Sequence, residues 1–113
     1  MTCKDTSCAN QEKVQKLISS LPSENQIEES YDILRALADP TRLKILYLLK
    51  NGELCACEII ESMDKSQSTI SHHLNILRKE KIIIGRKEGK WVHYKLKNPS
   101  IMDDLERVFN LGE

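Results

Sequence analysis

No apolar run in this sequence of 113 residues approaches the roughly 18 that cross a bilayer, so no membrane-spanning helix and no membrane partner is expected. The opening residues, Met-Thr-Cys-Lys-Asp, also lack the apolar stretch of a secretory leader. A cytoplasmic protein is the expectation. In that compartment thiols stay reduced, and clustered cysteines point to metal or redox chemistry rather than to structural disulfides. Neither a glycine-rich anion loop nor a Cys-x-x-Cys pair occurs, which speaks against a thiol oxidoreductase or a related enzyme; no organic cofactor is expected. Internal repeats and low-complexity blocks are absent as well. A chain this short buries one modest core, and pairing with a second copy would enlarge it.

Net charge is missing too, because 17 Lys and Arg balance 17 Asp and Glu. The balance hides a segregation. Residues 65–97 hold nine basic side chains against Glu80 and Glu88, whereas the segments on either side are acidic. One basic face on an acidic body suits contact with a polyanion, the plainer alternative being a solvated charged surface.

What is present is helical periodicity. Val14, Leu17, Ile18 and Leu21 recur at i, i+3, i+4 and i+7, which predicts an amphipathic helix over 11–20, stopped by Pro22. A second helix is expected over 24–38, with Ile27, Tyr31, Leu34 and Leu37 or Ala38 on its stripe. Asp39 is placed to cap a third, with Pro40 at its first position and Gly52 ending it. Leu43, Ile45, Leu46, Leu48 and Leu49 make that helix apolar over most of its circumference, so it is the expected core element. Two short helices follow over 56–63 and 67–79, joined by a turn in which Ser66 caps the second. Ile82-Ile83-Ile84 and Trp91 to Leu96 flank Gly85 to Lys90 and predict a β-hairpin with a basic tip, packed by Trp91. Asn98 is expected to cap a last helix starting at Pro99, with Ile101, Leu105, Val108 and Phe109 along one face. The expected division is an arm with a short helix, 1–23, and a body, 24–113.

A short helix, a tight turn, a second helix and a basic hairpin form a winged helix-turn-helix, so the expected fold is mainly α with a small β-hairpin. Ile70, Leu74 and Leu77 bury one stripe of the second helix, leaving Gln67, Ser68, Thr69, Ser71, His72 and Asn75 outward beside the capping Ser66. Short polar side chains allow close approach to a major groove, and Gln or Asn can bond an adenine edge. Arg78, Lys79, Lys87 and Lys90 are candidates for phosphate contact. Helix-turn-helix units also occur as plain packing motifs.

Three ordered blocks, ILRALADPTRLKILYLLKNGELCACEI, QSTISHHLNILRKEKII and RKEGKWVHYKL, resemble those of the ArsR/SmtB family of small metal-sensing repressors across about residues 27–97. The resemblance implies a homodimer on double-stranded operator DNA, with repression relieved by metal. It places the dimer interface on the terminal helices, here Ile27, Tyr31, Leu34, Ile101, Leu105, Val108 and Phe109.

Cys55 and Cys57 raise the question of the ligand. Two apart in a regular helix, they point about 200° from each other and cannot share an ion. At a frayed first turn they can, and the helix end there is expected to favour the thiolate form. Two sulfurs leave a soft ion short of the three or four donors it wants. The segment CANQEKVQKL is similar to the arm of the cadmium/lead-responsive members, which implies Cys8 and Cys3 as further ligands; four residues separate the two here where three are expected. Such a site takes Cd(II) or Pb(II), with Zn(II) as a further candidate. Arsenic-responsive members resemble the hairpin sequence and often carry a third cysteine where Ile60 stands; As(III) or Sb(III) held by Cys55, Cys57 and an arm cysteine is the alternative. The family's zinc site between last helices is not expected, since Asn98 and Ser100 replace its Asp and His. A thiol redox sensor and two inert buried cysteines stay open. His72, His73 and His93 are assigned to DNA contact or packing.

Overall fold

The structure, a computed structural model, describes residues 10–110. Its elements are α1 (Gln11–Ser20), α2 (Glu24–Leu37), α3 (Pro40–Leu49), β1 (Leu54–Cys55), α4 (Ala56–Ser62), α5 (Gln67–Lys79), β2 (Ile83–Glu88), β3 (Trp91–Leu96) and α6 (Ser100–Phe109). The chain divides into two compact units between Ser30 and Tyr31, inside α2. Among the described residues no helix is long and apolar enough to cross a membrane.

In the first unit, Asn10 caps α1 by accepting from the N–H of Lys13 at 3.1 Å. Ser23 and Gln26 start α2 with a reciprocal pair: Ser23 N–H donates to Gln26 Oε1 and Gln26 N–H to Ser23 Oγ. No residue of α1 is buried.

The second unit is built around α3. Asp39 caps it through the Arg42 N–H at 3.0 Å with Pro40 next, and Ile45, Leu46 and Leu49 are buried. Ile59 of α4, Ile70, Leu74 and Leu77 of α5, Ile82, Ile83, Leu96 and Met102 complete the core. Met102, fully buried, was not among the core residues expected from the sequence, and Ile101 and Leu105 pack partly against the same core.

The sheet has three strands, not two, in the order β1-β3-β2, all antiparallel. β1 is only two residues long, too short to show an alternating pattern. The hairpin is also tighter than expected. Strand pairing runs from Ile83↔Leu96 to Glu88↔Trp91, so Gly85 to Glu88 lie in the strand and only Gly89 and Lys90 form the turn. Gly89 has φ +64°, the sign a two-residue II′ turn demands at its first central position. Trp91 does not pack the wing: at the turn it stays 50% exposed, with Lys90 Nζ over its ring 5.3 Å from the centre. The cap of α6 is Pro99, one residue later than expected, with the Ile101 N–H bonded to Asn98 O.

Candidate nucleic-acid interface and cysteine pair

Ser66 caps α5. Its Oγ accepts from the Thr69 N–H at 3.2 Å and lies 2.9 Å from Thr69 Oγ1, so both hydroxyls are engaged in the cap. Beyond that turn, Ser68, Ser71, His72, Asn75 and Arg78 open onto a cleft of about 560 Å³. Its other wall is the wing, with Gly85, Arg86, Lys87, Val92 and Tyr94. Arg78 donates to Asn75 Oδ1 at 2.8 Å, which leaves the Asn75 NH₂ as the edge to offer. Gln67 is exposed at the start of α5 and Lys90 sits on the turn; neither lines the cleft.

Gly85, Arg86, Val92 and Tyr94 were not singled out from the sequence. A Cβ at Gly85 would meet Tyr94 Cε1 at 3.0 Å, so glycine is what lets the Tyr94 ring lie across β2. Arg86 forms a fork with Glu53, Nε to Oε1 and Nη2 to Oε2 both at 2.9 Å, and Nη1 reaches Glu88 Oε2 at 2.9 Å. The Arg86 hydrogen bond holds the Glu53 carboxyl below its ordinary range, and Glu53 and then Glu88 raise the Arg86 pKa.

The three histidines separate. His72 is exposed in the cleft, and His93 Nε2 lies 3.5 Å from Glu88 Oε2. His73 is half-buried on the inner flank of α5, Nδ1 3.0 Å from Arg42 Nη1 and 3.9 Å from Asp39 Oδ2. Arg42 in turn donates through Nε to Ala36 O at 2.6 Å, tying the α2–α3 corner to α5. Burial, then the Arg42 and His72 charges, press the His73 pKa below its ordinary value against the pull of Asp39. Burial raises the Asp39 carboxyl, but the Arg42 N–H, the guanidinium and His73 outweigh it and the pKa is lowered.

Cys55 ends β1 opposite His93 and caps α4 with an extended backbone, φ −68° and ψ 146°. Its N–H donates to Glu58 Oε1 at 2.8 Å. Because Cys55 is not yet helical, its sulfur lies beside that of Cys57 and accepts the Cys57 S–H at 2.9 Å. Cys55 is buried and Cys57 exposed. The expectation of a favoured thiolate fails for Cys57: the hydrogen bond to Cys55, then desolvation, raises its pKa. Among the described residues no cluster of three or more His, Cys, Asp or Glu could hold a metal. The soft donor set fits a thiophilic ion, but two sulfurs are only half to two thirds of the donors it wants. Cys3 and Cys8 lie outside the described residues.

Residues 39–84 match the model of the bacterial regulatory protein arsR family. The cadmium resistance transcriptional regulatory protein CadC of Listeria innocua is 36% identical over 110 residues, 96% of this chain and 92% of that protein. The chain belongs to the arsR family. The arsenical resistance operon repressor of Staphylococcus aureus, a further relative, is 42% identical over 84 residues, covering 74% of this chain and 80% of that one. The homodimeric winged helix-turn-helix DNA-binding domain of a possible ArsR-family regulator from Mycobacterium bovis superposes with a TM-score of 0.63, at 26% identity and over 81% of this chain and 84% of that one. Like the family, this chain is a winged helix-turn-helix transcriptional regulator, not an enzyme.

Proposed function

We propose that this arsR-family chain is a repressor that binds operator DNA as a homodimer and is released by a thiophilic ion, Cd(II) or Pb(II) first and Zn(II) after them. Cys55 and Cys57 supply two thiolates, and Cys8 and Cys3 of the 1–23 arm supply the rest, from the same chain or its partner. The observation that carries the reading is the sulfur contact of 2.9 Å, which brings two soft donors together where β1 meets α4. When bound, the ion cross-links these thiolates. Ser68, Ser71, His72 and Asn75 face base edges, with Gln67 and the Ser66–Thr69 cap at the entry to the groove, while Arg78, Lys87 and Lys90 hold phosphates. Ile27, Tyr31, Leu34, Val108 and Phe109 are exposed apolar side chains that a second copy covers, and Ile101 and Leu105, partly packed against the core, join them.

Operator affinity measured with and without Cd(II) at fixed salt tests the reading. A loss of about five- to 150-fold is the expected range for a coupling of this type. Cys55→Ser abolishes the loss and keeps apo binding; equal affinities in the wild type end the proposal. The arsenical relative favours a second reading, As(III) or Sb(III) on Cys55, Cys57 and one arm cysteine. Anaerobic titration with Cd(II), Pb(II), Zn(II) and As(III), followed by sulfur charge-transfer absorption, separates the two. A response to disulfide oxidation without any ion would replace both with a redox switch.

A further inference from the structure

Three cations line the cleft between α5 and the wing, and Arg86 differs from Arg78 and Lys87 in being already filled. Both oxygens of Glu53 and one of Glu88 occupy its Nε, Nη2 and Nη1 at 2.9 Å each. A lone exposed ion pair holds little, but a bidentate fork within a network keeps its geometry. Arg86 remains 53% exposed, so with the carboxylates removed its fork is open to a phosphate.

Glu53 belongs to another part of the fold. It lies two residues before Cys55, in the connection from α3 that becomes β1. Across the sheet, Cys55 is the register partner of His93, and His93 of Arg86, so cysteine and arginine share one cross-strand row. Among the described residues, the Glu53–Arg86 pair is the only side-chain hydrogen bond or ion pair joining that connection to the hairpin.

We propose that Glu53 is a positioning residue for DNA binding, which holds Arg86 off the phosphate backbone and ties the wing to the segment carrying Cys55. The chain forgoes one phosphate contact per subunit, and the wing follows the cysteine pair. The second half of this statement rests on the metal reading above.

The test uses the full chain and a duplex selected by the apo protein from a random-sequence pool, with binding read by fluorescence anisotropy across a KCl series. Glu53→Gln keeps the shape and removes the charge. Arg86 then reaches phosphate, and the plot of log affinity against log salt steepens by about 0.9 per freed contact. Arg86→Gln keeps the wild-type slope, because the clamped arginine touches no phosphate. An unchanged slope in Glu53→Gln, or a flatter one in Arg86→Gln, overturns the proposal. In a second arm Cd(II) is added anaerobically and its capture is read by sulfur-to-metal absorption. Both variants capture Cd(II) like the wild type, but the Cd(II)-induced loss of duplex affinity falls from the wild type's about five- to 150-fold to about twofold or less. Glu88→Gln leaves the Glu53 fork in place and keeps the full loss. If Glu53→Gln also keeps it, the tie to the cysteine segment is overturned while the metal reading stands. If the wild type neither absorbs nor loses affinity, the metal reading fails, and the salt slope still decides whether Glu53 withholds Arg86.

Discussion

Lys81 is the one non-glycine residue among those described with a positive φ, +60°. It follows α5, where the Ile82 N–H bonds Leu77 O and the Lys81 N–H bonds Arg78 O, both at 3.0 Å. That is the Schellman arrangement, closed by buried Ile82 and Leu77, with lysine where glycine is usual. A Cβ in the left-handed region costs about 1–2 kcal/mol, and glycine gives part of that back through unfolded-state freedom. Lys81→Gly is therefore expected to stabilise by about 0.5–1 kcal/mol. A urea titration checks it: the midpoint rises with an unchanged slope. His73 supplies a pH dependence whose sign follows from its lowered pKa. The unfolded chain takes up the proton first, so stability is fully present above the ordinary histidine value of 6.5 and falls as pH drops through the folded-state value. Asp39 acts in the same direction at lower pH, its contribution being lost below the ordinary 3.8 as the folded carboxyl protonates. Denaturation midpoints measured from about pH 7 to 5 decline in the wild type and decline less in His73→Gln.

The elements that were legible in the sequence are those whose ends carry their own chemistry. Asp39-Pro40 and Ser66 started α3 and α5 where expected because a side-chain oxygen three residues before an unpaired N–H is a local signal. Ser66→Ala is expected to cost about 1 kcal/mol of stability, read by the same urea titration, and to leave the Thr69 hydroxyl without its partner. The winged helix-turn-helix order and the polar face of α5 were equally readable. β1 was not, since two residues have no period, and its partner β3 begins more than 30 positions later. The same distance hid the Glu53–Arg86 fork. Gly85 misled in a different way: it reads as a turn residue, yet its role is to admit the Tyr94 ring at a position inside β2. Gly85→Ala forces that ring to shift within the cleft wall. The expected result is a folded protein, by circular dichroism, whose duplex affinity drops several-fold; unchanged affinity would mean that the ring's place in the cleft has no part in binding.

Among the described residues the core around α3 is closed, while α2 and α6 each keep apolar side chains uncovered. Met102 anchors α6 to the core, and Lys50 Nζ meets Glu106 Oε1 at 2.6 Å, binding α6 to the end of α3. So fixed, α6 turns Val108 and Phe109 outward, 59% and 49% exposed, and α2 leaves Tyr31 and Leu34 exposed as well. Burying a side chain of this size contributes about 1.5–3 kcal/mol, which is what a second copy covering them would gain at each. On the proposed reading, DNA binding gains from pairing for another reason. A single reading helix meets one half-site, and linking two converts the second encounter into an intramolecular one, a gain of 10²–10⁴-fold or so. Phe109→Asp combined with Leu34→Asp puts charge on the uncovered surface and leaves the core untouched. Sedimentation equilibrium is expected to show a folded monomer, with duplex affinity at least about 100-fold weaker and a salt slope near half the wild-type value, as one subunit's phosphate contacts are lost. A variant that remains a dimer with the wild-type slope would place the subunit contact elsewhere on the chain, and these apolar side chains would then need another partner.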